Sequence, residues 1–147
     1  MQALIQRVRS AEVTVDGEPV ARIDGGLLVY VGVQCGDGPD DARSIADKVR
    51  YLRVFPDDDG KMNLDVIQTG GSVLLVSSFT LVASTHRGRR PEFTNAAAPD
   101  SAARLVEDVE EKLTGLGVSV AKGRFGAMMQ VSSRNDGPIN LVISSRR

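Results

Sequence analysis

The sequence has very little of the chemistry on which functional assignments usually depend. Its 147 residues include no tryptophan, a single histidine, His86, and a single cysteine, Cys35. A Ser-His-Asp or Cys-His arrangement needs a histidine beside its nucleophile, but three arginines close to His86 disfavour its imidazolium form and crowd its approach. One histidine and one cysteine also leave too few nitrogen and sulfur ligands for a zinc site. We therefore expect no metal, no cofactor and no conventional catalytic triad.

An excess of charge of either sign is also missing. The 18 Lys and Arg residues are matched by 19 Asp and Glu residues, so no global field draws the protein onto nucleic acid. Any RNA contact must come from a local patch, and no DNA partner is expected. The apolar runs fall far short of the ~20 residues of a membrane helix. With no signal-like N-terminus and no possible internal disulfide, the sequence predicts a cytoplasmic protein without a membrane partner.

The apolar pattern predicts a single domain over residues 1–147 that is rich in strands. No repeat or charged linker divides the chain. Alternating residues followed by the turn Asp16-Gly17 predict an N-terminal hairpin, and continuous apolar runs predict strands buried on both faces. The expected strands after the hairpin are residues 27–33, 73–76, 118–121, 128–132 and 139–144.

Two helices are expected as well. Apolar residues at helical spacing predict one helix that begins near Asp40 and ends near Arg53. A second should be capped by Asp100 or Ser101 and end at Gly115 or Gly117. Two helices against many strands joined by short turns favour a layered α+β domain over a doubly wound one.

The segment Ser77-Ser78-Phe79-Thr80 follows an apolar strand and is the first candidate for chemistry. Small hydroxyl residues at a strand end can direct backbone N–H groups toward a ligand, and such donors stabilise the oxyanion formed when an ester carbonyl is attacked. An ordinary strand end rich in Ser and Thr is the alternative, and the residues alone favour it.

Two other segments have a similar double interpretation. Gly137-Pro138 precedes a C-terminal strand, where a trans proline at the strand entry is the usual arrangement. Arg87, Arg89 and Arg90 surround a glycine, so they either bind RNA phosphates through their guanidinium groups or form a solvated basic loop. Met62, Phe125 and Met128 are expected more often in a core than in a pocket.

Together these segments resemble one known family. The order and spacing of five motifs are similar to those of the D-aminoacyl-tRNA deacylases, from Met1 to about Ser144. The motifs are Gly60-Lys61-Met62-Asn63-Leu64, Ser77-Ser78-Phe79-Thr80-Leu81, Arg87-Gly88-Arg89-Arg90-Pro91, Gly123-Arg124-Phe125-Gly126 and Asn135-Asp136-Gly137-Pro138-Ile139-Asn140. The resemblance implies a sandwich of two β layers plus a helical layer. It also implies hydrolysis of the ester that joins a D-amino acid, or glycine on tRNA(Ala), to tRNA.

The resemblance also implies roles for particular residues. Residues 77–80 would line the catalytic pocket, with Thr80 as the side chain most often given a catalytic role. A cis Gly137-Pro138 corner, flanked by Asn135 and Ile139, would hold the substrate amino group and reject L-amino acids. A homodimer is implied, because the corner of one subunit would complete the pocket of the other. Arg87, Arg89 and Arg90 would contact aminoacylated tRNA.

Three positions depart from the family pattern. Ser78 stands where the family has Gln, Met128 where it has Asp and Asn140 where it has Thr. These departures keep a rival hypothesis open, a non-catalytic tRNA- or RNA-binding module that uses the loop from Arg87 to Arg90 alone.

Overall fold

The computed structural model describes residues 1–86 and 88–146, and its dominant element is one mixed six-stranded sheet. The sheet is accompanied by two helices, a short 3₁₀ turn and a separate two-stranded ribbon. In chain order the elements are β1 Gln2–Val15, β2 Glu18–Ile23, β3 Gly26–Gly32, α1 Pro39–Arg50, β4 Phe55–Pro56, β5 Met62–Leu64, β6 Ser72–Ser77, the 3₁₀ turn Phe79–Val82, α2 Pro99–Gly115, β7 Ser119–Lys122 and β8 Met129–Ser144.

The long strands β1 and β8 join two parts of this sheet. The first part of β1 pairs with β3, while its second part pairs with β2. Strand β8 follows β1 along both parts, with shifts of register between Gln6 and Ser10. Strands β3, β6 and β7 are parallel, in that order. Strand β2 also lies against β6 and β7, so the sheet folds back over itself.

Alternation along the strands separates two apolar cores. Leu27, Val29 and Val31 of β3 belong to the larger core, which also contains the buried faces of α1 and α2. Leu28 belongs to a smaller core that includes residues of β1, β2 and β6. Because side chains alternate across a strand, β3 contributes to both cores. The expected α+β class, with two β layers and a helical layer, is confirmed.

Several element boundaries differ from those expected. Helix α1 ends at Arg50 instead of near Arg53, and α2 begins at Pro99, with Ala98 rather than Asp100 or Ser101 at its N-cap. Proline suits the first turn of a helix because the missing N–H would have no partner there. The two C-terminal strands are one continuous element, β8. Within the described ranges 1–86 and 88–146, no helix is long and apolar enough to cross a membrane.

Gly26 is the position where the sheet leaves no room for a side chain. Its φ is +154°, and an added Cβ would overlap the Ser72 carbonyl oxygen and lie 2.7 Å from the Ser72 nitrogen. The neighbouring Gly25 has open space around it. This close approach starts the parallel pairing of β3 with β6, in which Gly26 faces Ser72.

Gly26→Ala is therefore expected to lower the free energy of unfolding by more than about 2 kcal/mol, because backbone must move to relieve the overlap. The matched change Gly25→Ala should stay within about 0.5 kcal/mol of the parent. Urea unfolding of the two variants measures both values. Equal stability of the variants would contradict this packing.

Candidate active site

A cavity of about 560 Å³ opens beside the carboxyl ends of β3 and β6. Residues 77–80 form one wall, and Ala96 and Ala97 with the start of α2 form another. A third wall comes from the loop 125–127. Parallel strands commonly deliver functional groups at this end, and the cavity is of the size that binds small molecules.

The segment from Ser77 to Thr80 changes here from strand to 3₁₀ turn. The Ser78 amide donates to the Val31 carbonyl at 2.8 Å, which continues the ladder with β3 past the end of β6. That amide is therefore occupied and is not free to bind an oxyanion. The amides of Phe79 and Thr80 are the first of the turn, where N–H groups have no acceptor within the helix. These two are the candidate donors.

The side chains of the same turn form a hydroxyl pair. Ser78 Oγ and Thr80 Oγ1 are 3.0 Å apart, and either oxygen can be the donor. A Cβ added to Gly32 would lie 2.7 Å from Val82 Cγ1 and 3.1 Å from the Ser78 carbonyl oxygen. The absence of a side chain at Gly32 thus allows the turn to pack closely against β3.

An aromatic contact joins this turn to the basic loop. Phe79 is 60% exposed, and its ring packs edge-on against Phe93 with a centroid separation of 5.0 Å. Phe93 follows a small hairpin in which Ser84 and Glu92 exchange two backbone hydrogen bonds of 2.8 Å. The loop of that hairpin contains the predicted RNA-contacting arginines. Arg89 and Arg90 are exposed there, and Arg87 lies outside the described residues.

The Gly137-Pro138 corner lies within β8, and its peptide bond is cis. Asn135 Oδ1 accepts a 3.1 Å hydrogen bond from the Ile139 amide, across the corner. Asn140 Oδ1 accepts from Asn135 Nδ2 at 2.6 Å and from Gln6 Nε2 at 2.9 Å. Asn140, one of the departures from the family pattern, therefore helps to hold the corner in this chain.

Arg7 reinforces the corner from the neighbouring strand β1. Its Nε donates to the Asp136 carbonyl at 3.1 Å, and its Nη1 donates to the Val54 carbonyl at 2.6 Å. Arg9 pairs with the Asp136 carboxylate at 3.0 Å. The residue before the glycine is thus fixed through both its main chain and its side chain.

The chain does not bring its own corner into its own cavity. Strands β1 and β3 lie between β8, which carries the corner, and β6, which leads into the 3₁₀ turn Phe79–Val82. Gly137 and Pro138 are exposed, as are Leu141 and Val142 beyond them.

Phe125 and Met128 are also exposed, and Phe125 lines the cavity. Expecting these two residues and Met62 in a core was wrong.

Comparison with known proteins identifies the family. Residues 4–144 match the family model described as D-Tyr-tRNA(Tyr) deacylase. The chain belongs to this deacylase family. It is 51% identical to the D-aminoacyl-tRNA deacylase of Heliobacterium modesticaldum over 146 residues, which are 99% of this chain and 97% of that protein. It is 50% identical to the D-aminoacyl-tRNA deacylase of Thermus aquaticus over 145 residues, which are 99% and 95% of the two chains.

Solved structures agree with the fold. A structure described as c-Myc DNA Unwinding Element Binding Protein superposes with a TM-score of 0.94 at 32% identity and covers 100% of both chains. A probable eukaryotic D-amino acid tRNA deacylase superposes with a TM-score of 0.82 at 15% identity and covers 97% of both chains, which supports the fold alone. The predictions of family, fold class and membership in an enzyme family are confirmed.

Two residues of interest were missed at the level of sequence. Tyr30 of β3 lines the cavity, but within an apolar run it has the pattern of an ordinary strand residue. Arg7 alternates with apolar residues as any exposed strand residue would.

Among the described residues, no group of three or more His, Cys, Asp and Glu side chains is placed to hold a metal ion.

The deacylase corner has a geometry that only glycine fits at position 137. Its φ is +131°, and an added Cβ would lie 2.7 Å from Ile139 Cγ1 and 2.9 Å from the Ile139 nitrogen. Gly60 also has a positive φ, +77°, but its surroundings are open.

Gly137→Ala should therefore displace the corner, with amide chemical-shift changes centred on residues 135–140, and should destabilise the fold by about 1–3 kcal/mol. Gly60→Ala serves as the control, because it has the cost of a positive φ without a steric contact. The interpretation would be wrong if Gly137→Ala left the amide resonance of Ile139 unmoved.

Proposed function

We propose that this deacylase-family protein hydrolyses the ester bond of D-aminoacyl-tRNA and releases the free D-amino acid and tRNA. The proposal treats residues 1–147 as one deacylase domain acting in the cytoplasm. Its main support is that the family match, over residues 4–144, coincides with a cavity whose wall is the segment Ser77–Thr80. Chiral proofreading of translation would be the consequence.

The chemistry demands little from side chains. Among the described residues that line the cavity there is no His, Asp, Glu, Lys or Cys to act as a general base. Water would attack the ester carbonyl, and the vicinal hydroxyl of the terminal ribose would assist proton transfer. The amides of Phe79 and Thr80 would stabilise the oxyanion. The Thr80 hydroxyl, paired with Ser78 at 3.0 Å, would orient the reacting groups.

Chirality would be read by main chain supplied from a second copy. We infer a homodimer in which the exposed Gly137-Pro138 corner of one subunit enters the cavity of the other. Asn135 and Ile139 would keep the corner's carbonyls directed at the substrate amino group. An L side chain would collide with the corner, whereas glycine on tRNA(Ala) has no side chain to reject. Exposed apolar residues near the corner and around the cavity, Val142 and Phe79 among them, support such an interface.

The tRNA itself would be held by the basic loop. Arg89 and Arg90 are exposed, and the hairpin that carries them is connected to the cavity wall by the contact of Phe93 with Phe79. With Arg87, they would pair with phosphates of the acceptor stem. The net charge of −1 makes such a local patch the main source of RNA affinity.

Release of amino acid from matched D- and L-aminoacyl-tRNA by purified protein tests the proposal. Catalytic turnover on the D-substrate, with the L-substrate spared, is expected, and glycyl-tRNA(Ala) tests the achiral case. Tight tRNA binding without turnover would instead favour the non-catalytic RNA-binding module.

Because the structure with a TM-score of 0.94 is described as a DNA-binding protein, duplex DNA belongs in the binding assay as a competitor. Preferential binding of that DNA would contradict the expected absence of a DNA partner.

Thr80→Ala should lower kcat by about 10²- to 10³-fold while leaving measurable activity, because the candidate backbone donors remain. Thr114→Ala, on the exposed face of α2, is the matched control and should behave like the parent. Single-turnover hydrolysis of D-aminoacyl-tRNA measures the effect. Complete inactivity of a folded Thr80→Ala variant would make Thr80 an obligatory nucleophile or base.

Arg89→Ala and Arg90→Ala should each weaken tRNA binding. Each should also reduce the slope of log Kd against the logarithm of the salt concentration by about 0.7 to 0.9 per lost phosphate contact. The preference for D- over L-substrate should not change. Arg43→Ala is the control, since Arg43 is an exposed arginine of α1. A salt dependence equal to that of the parent in both loop variants would place the RNA elsewhere.

A further inference from the structure

Tyr30 is the only titratable side chain among the described residues that line the cavity. The other lining residues are apolar, glycine, or the hydroxyl residues of the catalytic segment. A single phenol in such surroundings is a polar group positioned in an otherwise apolar wall, which is how small-molecule sites fix the orientation of a ligand.

The register of the sheet places Tyr30 close to the catalytic segment. Tyr30 of β3 pairs with Val76 of β6 in the parallel ladder, and Ser78 follows Val76 by two residues. Because side chains alternate, Val76 lies on the same face of the sheet as Tyr30, and Ser78, still extended one residue past the end of β6, follows on that face. Val76 and the body of the Tyr30 ring pack together against the core between the β layers.

The phenol has no hydrogen-bond partner within the part of the chain that the structure describes. Burial raises the pKa of Tyr30 above its ordinary value, with no hydrogen bond contributing to the change. The group is therefore protonated at neutral pH and able to donate. A partly buried donor of this kind usually finds a partner, and because Tyr30 lines the cavity, a ligand bound there can supply one.

We propose that Tyr30 is a further substrate-contacting residue, whose hydroxyl donates a hydrogen bond to an oxygen at the aminoacylated 3′ end of the tRNA. The inference depends on the proposed function. Two oxygens have the right chemistry, a hydroxyl of the terminal ribose and the carbonyl of the aminoacyl ester. Contact with the ribose binds the ground state and the transition state alike, whereas contact with the carbonyl strengthens as the oxyanion forms.

Tyr30→Phe removes only the hydroxyl and should lower kcat/KM by about 3- to 10-fold, the loss expected for one hydrogen bond between neutral groups. The chain's other tyrosine supplies the control. Tyr51 is 59% exposed at the end of α1, with Arg50 over its ring, and Tyr51→Phe should have the kinetics of the parent. A loss through KM that disappears on tRNA ending in 2′-deoxyadenosine identifies the ribose. A loss confined to kcat identifies the carbonyl.

A binding measurement separates failure of this inference from failure of the proposed function. In the Tyr51→Phe background Tyr30 is the only tyrosine, so the absorbance of its phenolate, at wavelengths longer than the adenine band, reports this residue alone. Adding 3′-amino-3′-deoxyadenosine that carries D-alanine through an amide should raise the pH at which this phenolate absorbance appears, because a donated hydrogen bond favours the protonated phenol. A parent protein without hydrolytic activity would overturn the proposed function, while the absorbance change would still test the contact. Parent-like kinetics of Tyr30→Phe, together with a phenolate titration that the ligand leaves unchanged, would overturn the role of Tyr30.

Discussion

The parallel pairing of β3 with β6 is the interaction on which the site depends. It begins where Gly26 meets Ser72 without room for a Cβ, and it continues past the end of β6 through the 2.8 Å bond from the Ser78 amide to the Val31 carbonyl. That last bond stops the strand and releases the next two amides at the start of a 3₁₀ turn. Because both strands are buried on two faces, the donors are held by a rigid scaffold instead of a mobile loop.

Strands β1 and β3 separate the 3₁₀ turn Phe79–Val82 from the Gly137-Pro138 corner, which β8 carries. Both are anchored to the same sheet, but two strands lie between them. The corner is supported by side chains of its own neighbourhood, with Asn135 and Asn140 bonding across it and Arg7 bonding to Asp136 from β1. A rigid corner that is exposed and lies away from its own cavity is suited to act on another molecule. This separation is the physical basis for proposing that two copies share each site.

The cavity is chemically sparse, and this matches the reaction proposed for it. An activated ester needs oriented donors and a positioned water more than it needs a strong base. Ser78 stands where the resemblance implies a glutamine, so this turn carries a second hydroxyl, 3.0 Å from that of Thr80, instead of a side-chain amide. The phenol of Tyr30 adds a donor that a purely apolar strand would lack.

Motif order and apolar periodicity were enough to predict the family, the α+β class and the existence of both helices. They succeed because motif identity and side-chain alternation are local properties of the chain. Element ends were less predictable, because the residue types alone allow α2 to be capped by Asp100, whereas the helix begins at Pro99.

Only the tertiary structure decided which amides of residues 77–80 are free, because the Ser78 amide is consumed by Val31, a residue 47 positions earlier in the sequence. It also decided that Asn140 supports the corner and that Tyr30 reaches the cavity, since both depend on registers between distant strands. The sequence by itself determined which residue types are available for the chemistry. The pairing of strands far apart in the chain determined which of their groups face a substrate.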